Sequence, residues 1–359
     1  MSGGVDSSVS AWLLRRQGHD VIGLFMRHGQ GESAAQSTAG ERGCCSAADA
    51  EDARRVARML EIPFYVMDFE KEFGRIVDYF VEEYTAGRTP NPCIVCNTWL
   101  KFGKLFEYAD SVGARYVATG HYARLVPVES CEPGGAAGEP CERIALCRAQ
   151  DASKDQSYVL FGVQRDLLGR LMFPLGEYRK DAVRQIADRA SLGVAGKRDS
   201  QEICFVPDGD HALFVKRQRG CVDTSGEIVT TDGQAVGRHD GLEHFTIGQR
   251  KGLGIAFGDP RYVVSIEPET RRVVIGTSEE LQRSELSAGG ANWLIEEPRQ
   301  PFHCQVKIRY RSQPVEASVR TFPGRRFGVE FDEPCRGIAP GQAVVCYRGD
   351  RVLGGGWID

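Results

Sequence analysis

Short apolar runs that alternate with amphipathic segments dominate the first 120 residues, and this pattern constrains the fold most strongly. VIGLF (residues 21–25) and FYVMDF (64–69) have the length of buried strands, whereas residues 46–61 and the apolar stripe from Phe73 to Tyr84 have helical spacing. Parallel strands need crossover connections, which helices supply on both faces of the sheet. The pattern therefore predicts an α/β domain with a doubly wound parallel sheet.

The periodicity changes after about residue 205. Residues 206–284 contain short apolar runs separated by Gly and Asp, as is typical of a small, mostly β domain. Residues 285–359 contain strand-length runs separated by turn residues, which predicts a compact antiparallel β-barrel. We therefore expect three domains, with the α/β domain covering residues 1–205.

Composition and length agree with a folded enzyme of several domains. Hydrophobic residues make up 42% and charged residues 26% of the 359 residues, and no run approaches the ~20 apolar residues of a membrane span. The first residues have no signal-peptide pattern, so we expect a cytoplasmic protein with no membrane partner, whose twelve cysteines are thiols. Two polar segments, 28–43 and 126–143, are predicted to be mobile insertions.

The string SGGVDSS (residues 2–8) is followed at once by a helical pattern. Glycine amides and hydroxyls at a helix amino terminus bind phosphate well, although a Gly-rich turn with a Ser/Asp cap is the plainer alternative. A phosphate loop of this kind normally follows the first strand of its sheet, and only Met1 precedes it here. We therefore expect the first strand to be missing and hypothesise that the chain starts late.

The string TPNPCIVCN (residues 89–97) places Cys93 and Cys96 three positions apart behind an Asn-Pro turn. Such a pair is compatible with a metal site, a redox pair, a nucleophile or simple core packing. The residues of this string alone leave these four possibilities open.

Several strings together identify a family. SGGVDSS resembles the loop of ATP pyrophosphatases, which release pyrophosphate and leave AMP on a substrate oxygen. TPNPCIVCN, ATGHYAR, KDQSYVL, SQEICF, GQRKGLGIA and KIRYR resemble segments of the tRNA-specific 2-thiouridylases, almost from end to end of the chain. The resemblance implies an ATP pyrophosphatase (adenylation) domain, use of ATP and Mg²⁺, and replacement of the C2 oxygen of the tRNA wobble uridine by sulfur.

The same resemblance implies roles for individual residues. Cys96 would be the catalytic thiol and Cys204 the persulfide carrier, and the two would end the reaction as a disulfide that a reductant resets. Asp6 would serve Mg²⁺. The residues expected to bind ATP are Met1, Ser2, Gly3, Gly4, Val5, Asp6, Ser7, Ser8, Met26 and Gly120. The residues expected to contact tRNA are Asn91, Pro92, Cys93, His121, Lys154, Asp155, Gln156, Arg309, Tyr310 and Gln342.

Cys93 departs from the commonest family pattern, in which many members have Asp at this position. With Cys96 and Cys204 it makes three thiols, one short of a closed zinc site unless His121 contributes. Three thiolates are also enough to hold three irons of a [4Fe–4S] cluster, with the fourth iron open to sulfide. A dithiol route and a cluster-dependent route therefore both remain open.

The expected partners are the anticodon stem-loop of tRNA and a sulfur donor. The donor would be a sulfur-carrier protein or a persulfide derived from a cysteine desulfurase. Two other functions compete with this reading. One is another adenylating ligase or amidotransferase with the same ATP loop, which needs no paired thiols. The other is a non-catalytic RNA-binding protein stabilised by a metal.

Overall fold

The protein is described here by a computed structural model, which forms two compact units. The first unit contains residues 1–74, 96–207 and 350–352, and the second contains residues 75–95, 208–349 and 353–359. Within the described part of the chain, no helix is long and apolar enough to cross a membrane. The described residues are 1–29, 47–128, 143–197, 203–206, 209–220 and 222–359.

The first unit is the predicted α/β domain. Its strands β1 (Gly23–Arg27) and β2 (Phe64–Asp68) pair in parallel, with Gly23 opposite Phe64, and β3 (Val117–Ala118) pairs in parallel with β6 (Leu171–Met172). Helices cover these strands because their apolar faces pack into a core that includes Val9, Val56 and Val183. The helices of this unit are α1 (Val5–Arg16), α2 (Ala47–Met59), α5 (Leu105–Ser111) and α6 (Lys180–Arg189); α3 (Glu70–Thr85) runs from the first unit into the second, and α4 (Pro92–Val95) belongs to the second. The strands are β1 (Gly23–Arg27), β2 (Phe64–Asp68), β3 (Val117–Ala118), β4 (Ala123–Val128), β5 (Arg143–Arg148) and β6 (Leu171–Met172).

Two features of this unit differ from the sequence expectation. In the described residues the parallel strands form two separate pairs and not one continuous sheet. In addition, β4 and β5 form an antiparallel hairpin, with Leu125 opposite Leu146, where a polar insertion was predicted over 126–143. The hairpin was not predicted because the connection between β4 and β5 is long and polar in composition. Residues 30–43 and 129–142 of the predicted insertions lie outside the described residues, so their predicted mobility is not addressed.

The segment after α4 is a π-helix. It runs from Cys96 to Lys104 and continues into α5, where the sequence predicted one helix over about 98–111. Asn97 is buried in its first turn and donates from Nδ2 to the carbonyl oxygen of Val159, 3.0 Å away. π-Helical turns are uncommon and occur often at functional sites.

The second unit contains the two predicted β domains. Its first sheet has the order β8, β7, β10, β9, with β7 and β10 parallel and a core that includes Ile228, Val263 and Ile275. A six-stranded antiparallel barrel follows, and it is closed by pairing of β11 with β16. The fold-class prediction is thus confirmed, whereas the exact domain limits stay a prediction. The elements here are α7 (His211–Arg219), β7 (Gly226–Thr230), β8 (Ala235–His239), β9 (Tyr262–Glu267), β10 (Arg272–Gly276), β11 (Gln282–Trp293), β12 (Phe302–Lys307), β13 (Val315–Phe322), β14 (Arg326–Arg336), β15 (Ala343–Arg348) and β16 (Arg351–Ile358).

Candidate functional site

The glycine loop forms the amino-terminal turn of α1, as predicted. Gly3 has φ +70° and faces the backbone of Asp49, so no larger residue fits there. Gly4 is the N-cap and provides no side-chain cap for the first amides of the helix. The hydroxyl of Ser8 donates to the carbonyl oxygen of Gly4 at 2.8 Å, which fixes the loop without using the amides. Exposed amides at a helix amino terminus are suited to binding phosphate oxygens.

Asp6 is held by two residues that the sequence reading missed. Lys180, the first residue of α6, places Nζ 2.8 Å from each carboxylate oxygen of Asp6. The hydroxyl of Tyr122 donates to Oδ1 of Asp6 at 2.7 Å. The Lys180 side chain is 9% exposed and that of Asp6 is 32% exposed, so this ion pair lies largely inside the unit with one open side. Charge-assisted bonds of this geometry fix the orientation of the carboxylate.

A second lysine ties the loop backbone to α2. Lys197 donates to the carbonyl oxygen of Gly3 at 3.1 Å and also pairs with Asp49 and Asp52. Burial lowers the pKa of Lys197, but its hydrogen bonds to the two carboxylates outweigh that effect and raise the pKa overall. Lys197 therefore stays charged beside the loop at neutral pH. Two cations, Lys180 and Lys197, thus flank the candidate phosphate site.

Gly120 lies against the same loop, as its predicted role requires. A Cβ atom at this position would be 2.8 Å from the carbonyl carbon of Asp6 and 2.9 Å from the amide nitrogen of Ser7. Only glycine lets the end of β3 approach the loop backbone this closely. The β3 end and the loop therefore form one rigid surface.

Replacing Gly120 by Ala is expected to weaken ATP binding, because the loop backbone must shift to admit the methyl group. Isothermal titration with ATP measures this, and we expect at least a roughly tenfold loss of affinity, as for a displaced binding backbone. Gly169→Ala is the matched control, since a Cβ at Gly169 has no atom within 4 Å. An unchanged affinity of the Gly120 variant would remove this contact from the ATP site.

In the triplet formed by Lys154, Asp155 and Gln156, the side chains of Asp155 and Gln156 accept hydrogen bonds from backbone amides of the first unit. Asp155 accepts from the amides of Ala149 and Ser157 at 3.0 and 3.1 Å. Gln156 accepts from the amide of Tyr122 at 2.9 Å and so supports the residue that bonds Asp6. The structure therefore gives Asp155 and Gln156 a positioning role beside the loop. The contacts of this triplet with tRNA stay a prediction.

The other predicted residues of this unit have simple surroundings. His121 is 7% exposed, lies between Phe102 and Phe173, and bonds Thr119 through Nδ1 at 2.7 Å. Burial, with a smaller contribution from Lys101, lowers the pKa of His121 well below its usual value, so the imidazole is neutral. Met26 lies in β1 opposite Met67. The expected contacts of His121 with tRNA and of Met26 with ATP stay predictions.

Cys96 and Cys204 both belong to the first unit, and both are partly exposed. Cys96 begins the π-helix, directly after the buried Val95 and before the buried Asn97. Cys204 lies in a turn closed by a bond from the amide of Val206 to the carbonyl oxygen of Ile203, at 2.9 Å. Both thiols are therefore partly accessible to a reaction partner. These are the properties required of a reactive thiol, whereas a structural cysteine is fully buried.

The segment that carries Asn91, Pro92 and Cys93 belongs to the second unit. Asn91 caps α4 by accepting from the amide of Ile94 at 3.3 Å, and Cys93 is exposed. Gln342 donates to the carbonyl oxygens of Thr89 and Pro90, both at 3.1 Å. Gln342 therefore positions this segment through its backbone. Its direct contact with tRNA stays a prediction.

Arg309 and Tyr310 differ in their environment. Arg309 is partly buried and donates from Nη2 to the carbonyl oxygens of Ile247 and Gly337, at 2.6 and 2.5 Å. It thereby joins the turn before β9 to the barrel. Tyr310 is 37% exposed, with Nζ of Lys307 6.0 Å from its ring centre. An exposed ring beside a cation suits stacking on a base, whereas the phosphate clamp expected of Arg309 stays a prediction.

No group of three or more His, Cys, Asp or Glu side chains that could hold a metal ion is found within the described part of the chain. Cys93 belongs to the second unit, whereas Cys96 and Cys204 belong to the first, so the three-thiolate cluster considered from the sequence stays a prediction.

The domain families match this architecture in order along the chain. Residues 1–208 match the tRNA methyl transferase HUP domain, residues 214–277 the tRNA methyl transferase PRC-barrel domain, and residues 283–358 the aminomethyltransferase β-barrel domain. The protein is thus a HUP-domain enzyme with two carboxyl-terminal β domains.

Named relatives identify the family within this class. The chain is 50% identical to the tRNA-specific 2-thiouridylase MnmA of Rhodopirellula baltica, covering all of this chain and 94% of that protein. It is 46% identical to that of Lachnoclostridium phytofermentans and 48% identical to that of Solibacter usitatus, covering all of this chain and 98% of each relative. The chain belongs to the tRNA-specific 2-thiouridylase family.

Proposed function

We propose that this protein, a tRNA-uridine 2-sulfurtransferase by its family, forms 2-thiouridine at the wobble position of tRNA in two chemical steps. ATP first adenylates the C2 oxygen, and sulfur then reaches C2 through Cys204 and Cys96. The observation that carries the proposal is the fixed Asp6 in the first turn of α1, whose N-cap makes no side-chain bond, with two partly exposed thiols in the same unit.

Adenylation is needed because a carbonyl oxygen is a poor leaving group. The C2 oxygen attacks the α-phosphorus of ATP, the bond to the β-phosphate oxygen breaks, and pyrophosphate leaves with its electron pair. The amides at the start of α1 would hold the phosphates of the leaving group. Lys180 and Lys197 would add positive charge beside it, since both lie at the loop.

Asp6 is the residue that would hold Mg²⁺. When bound with ATP, Mg²⁺ would neutralise charge on the phosphate oxygens. One carboxylate with an open side is sufficient for this, because Mg²⁺ at such sites takes its other ligands from phosphates and water. Both oxygens of Asp6 bond Lys180 in this structure, so Lys180 would share the carboxylate with the ion.

Sulfur transfer then balances with two thiols. The outer sulfur of a Cys204 persulfide attacks C2, AMP leaves, and C2 is linked to Cys204 through two sulfur atoms. The thiolate of Cys96 attacks the Cys204 sulfur, which breaks the S–S bond and leaves the outer sulfur on C2 as 2-thiouridine. A Cys96–Cys204 disulfide remains, and a dithiol reductant restores the thiols.

The same proposal covers the partners. The tRNA anticodon stem-loop presents the target uridine, because bases in single-stranded loops are readily splayed out of the stack. The persulfide would come from a sulfur-carrier protein or a cysteine desulfurase. The dithiol route uses Cys96 and Cys204 and needs no iron–sulfur cluster.

The test is a reaction of purified protein with ATP, Mg²⁺, a persulfide donor and tRNA. We expect 2-thiouridine at the wobble position, with AMP and pyrophosphate formed in equal amounts. Completion of the reaction to a sulfur-free product, with thiol alkylation having no effect on product formation, would indicate another adenylating ligase. Binding of tRNA without release of AMP would indicate a non-catalytic RNA-binding protein.

A further inference from the structure

The segment of residues 249–261, called the basic loop below, is fixed to the second unit at several points. Leu253 is 7% exposed and belongs to the core of the β7–β10 sheet, against which Ile255 also packs. The amide of Val263 donates to the carbonyl oxygen of Gln249 at 3.0 Å. The side chain of Gln249 bonds the amide of Thr246 and the carbonyl oxygen of Lys251, both at 3.0 Å. The basic loop is thus a built element with a defined conformation.

The outer side of the basic loop is positive and partly apolar. Arg250 and Lys251 are exposed, and within the described part of the chain neither the guanidinium of Arg250 nor the ammonium of Lys251 forms an ion pair or hydrogen bond; the bond from Gln249 reaches only the backbone of Lys251. Phe257 is 38% exposed, and the guanidinium of Arg261 lies 5.1 Å from its ring centre. Arg250, Phe257 and Arg261 help to line a surface cavity of about 400 Å³, which Asp259 also lines, whereas Lys251 lies outside it. Exposed cations on a fixed backbone can bind the phosphates of a nucleic acid, and an exposed aromatic ring beside them can stack on a base.

The basic loop also begins beside a residue expected to contact tRNA. Arg309 donates to the carbonyl oxygen of Ile247, two positions before the loop. Gly248, with φ +84°, lets the guanidinium approach, since a Cβ there would be 3.3 Å from Nη2 of Arg309. The exposed Tyr310 is adjacent to Arg309 in the chain. The basic loop therefore begins two residues after the carbonyl group that Arg309 binds, within the same unit as Tyr310.

We propose that the basic loop is an additional tRNA-binding element, in which Arg250 and Lys251 bind phosphates of the tRNA backbone and Phe257 stacks on a base or ribose. The inference rests on the proposed function. Cations without a protein partner can bind phosphate without first breaking an ion pair. No covalent step is involved, and the element contributes affinity and orientation only.

The test measures tRNA binding over a salt series for wild type and the variant Arg250→Ala/Lys251→Ala. We expect several-fold weaker binding at low salt and a log–log salt slope smaller by about one for each cation removed. Phe257→Ala is expected to weaken binding with the slope unchanged. The matched control is Lys216→Ala/Arg217→Ala, an exposed basic pair on α7, for which affinity and slope should stay at the wild-type values.

The outcomes separate this inference from the proposed function. If wild type binds and thiolates tRNA while the loop variant behaves like the α7 control, the basic loop is not a tRNA contact. If the loop variant keeps its tRNA affinity but loses sulfur uptake from a donor protein, the loop contacts that donor, and the proposal is overturned. If wild type binds no tRNA, the proposed function itself fails.

Discussion

Cys204→Ser and Cys96→Ser are each expected to abolish formation of 2-thiouridine, by roughly 10³-fold or more, because a hydroxyl can neither carry a persulfide nor resolve one. The two variants should differ in what accumulates. Cys204→Ser should still adenylate tRNA, since the phosphate site does not involve this thiol. Cys96→Ser should form the C2–S–S–Cys204 adduct and stop there. Mass spectrometry of quenched single-turnover reactions distinguishes adenylated tRNA from the protein–tRNA adduct.

The controls for this experiment are cysteines with other surroundings. Cys335 is also partly exposed but lies in the barrel strand β14, and Cys335→Ser should retain wild-type thiolation. Cys93→Ser should retain it as well if the dithiol route holds. Loss of thiolation in all four variants would point to a shared cluster or to damage of the fold, and would contradict the assigned roles.

Lys180→Met is the second change expected to have a large effect. It removes the ammonium from both oxygens of Asp6 while keeping the length and apolar stem of the side chain. Leaving the Asp6 carboxylate without its cation is expected to lower the free energy of unfolding by roughly 1–3 kcal/mol. The loss is smaller than for a fully buried pair, because Asp6 is partly exposed. We expect a lower melting temperature and weaker ATP binding. Thermal denaturation and ATP titration measure the two effects.

A double variant separates stability from catalysis. In Asp6→Asn/Lys180→Met the unpaired charge is gone, so the melting temperature should return toward wild type. ATP-dependent adenylation should be lost in the double variant, because the carboxylate expected to hold Mg²⁺ is missing. Lys180→Arg keeps the charge and should retain part of the activity. Full adenylation by Lys180→Met would show that this lysine has no part in the site.

The fold was predictable wherever periodicity carries the information. The glycine loop, the alternating strands and helices up to β3 and the β texture after residue 205 all follow from the spacing of apolar residues. The β4–β5 hairpin was missed because its strands are separated by a long polar stretch, and turn signals adjacent to the strands are what normally reveal a hairpin. The π-helix was missed because its apolar spacing is close to that of an α-helix over two turns.

The candidate site was predictable only in part. Motif resemblance pointed to Asp6, Gly120, Cys96 and Cys204, but it did not point to Lys180, whose partner Asp6 lies 174 positions earlier. One local signal was available. Lys180 is the first residue of α6, and a cation is unfavourable at a helix amino terminus because it opposes the helix dipole. A lysine at such a position indicates that a carboxylate lies nearby to compensate. Gln342 and Arg309 show the converse, since residues expected to touch RNA also bond backbone carbonyls of their own unit.

The most direct test of the sulfur-transfer route is a single-turnover reaction without added reductant, in which persulfide-loaded protein meets ATP, Mg²⁺ and tRNA. The amount of 2-thiouridine is then compared with the amount of Cys96–Cys204 disulfide, identified by mass spectrometry of peptides. The account predicts one disulfide for each 2-thiouridine, with turnover stopping until a dithiol is added. Continued turnover without a reductant, or 2-thiouridine formed without the disulfide, would contradict it.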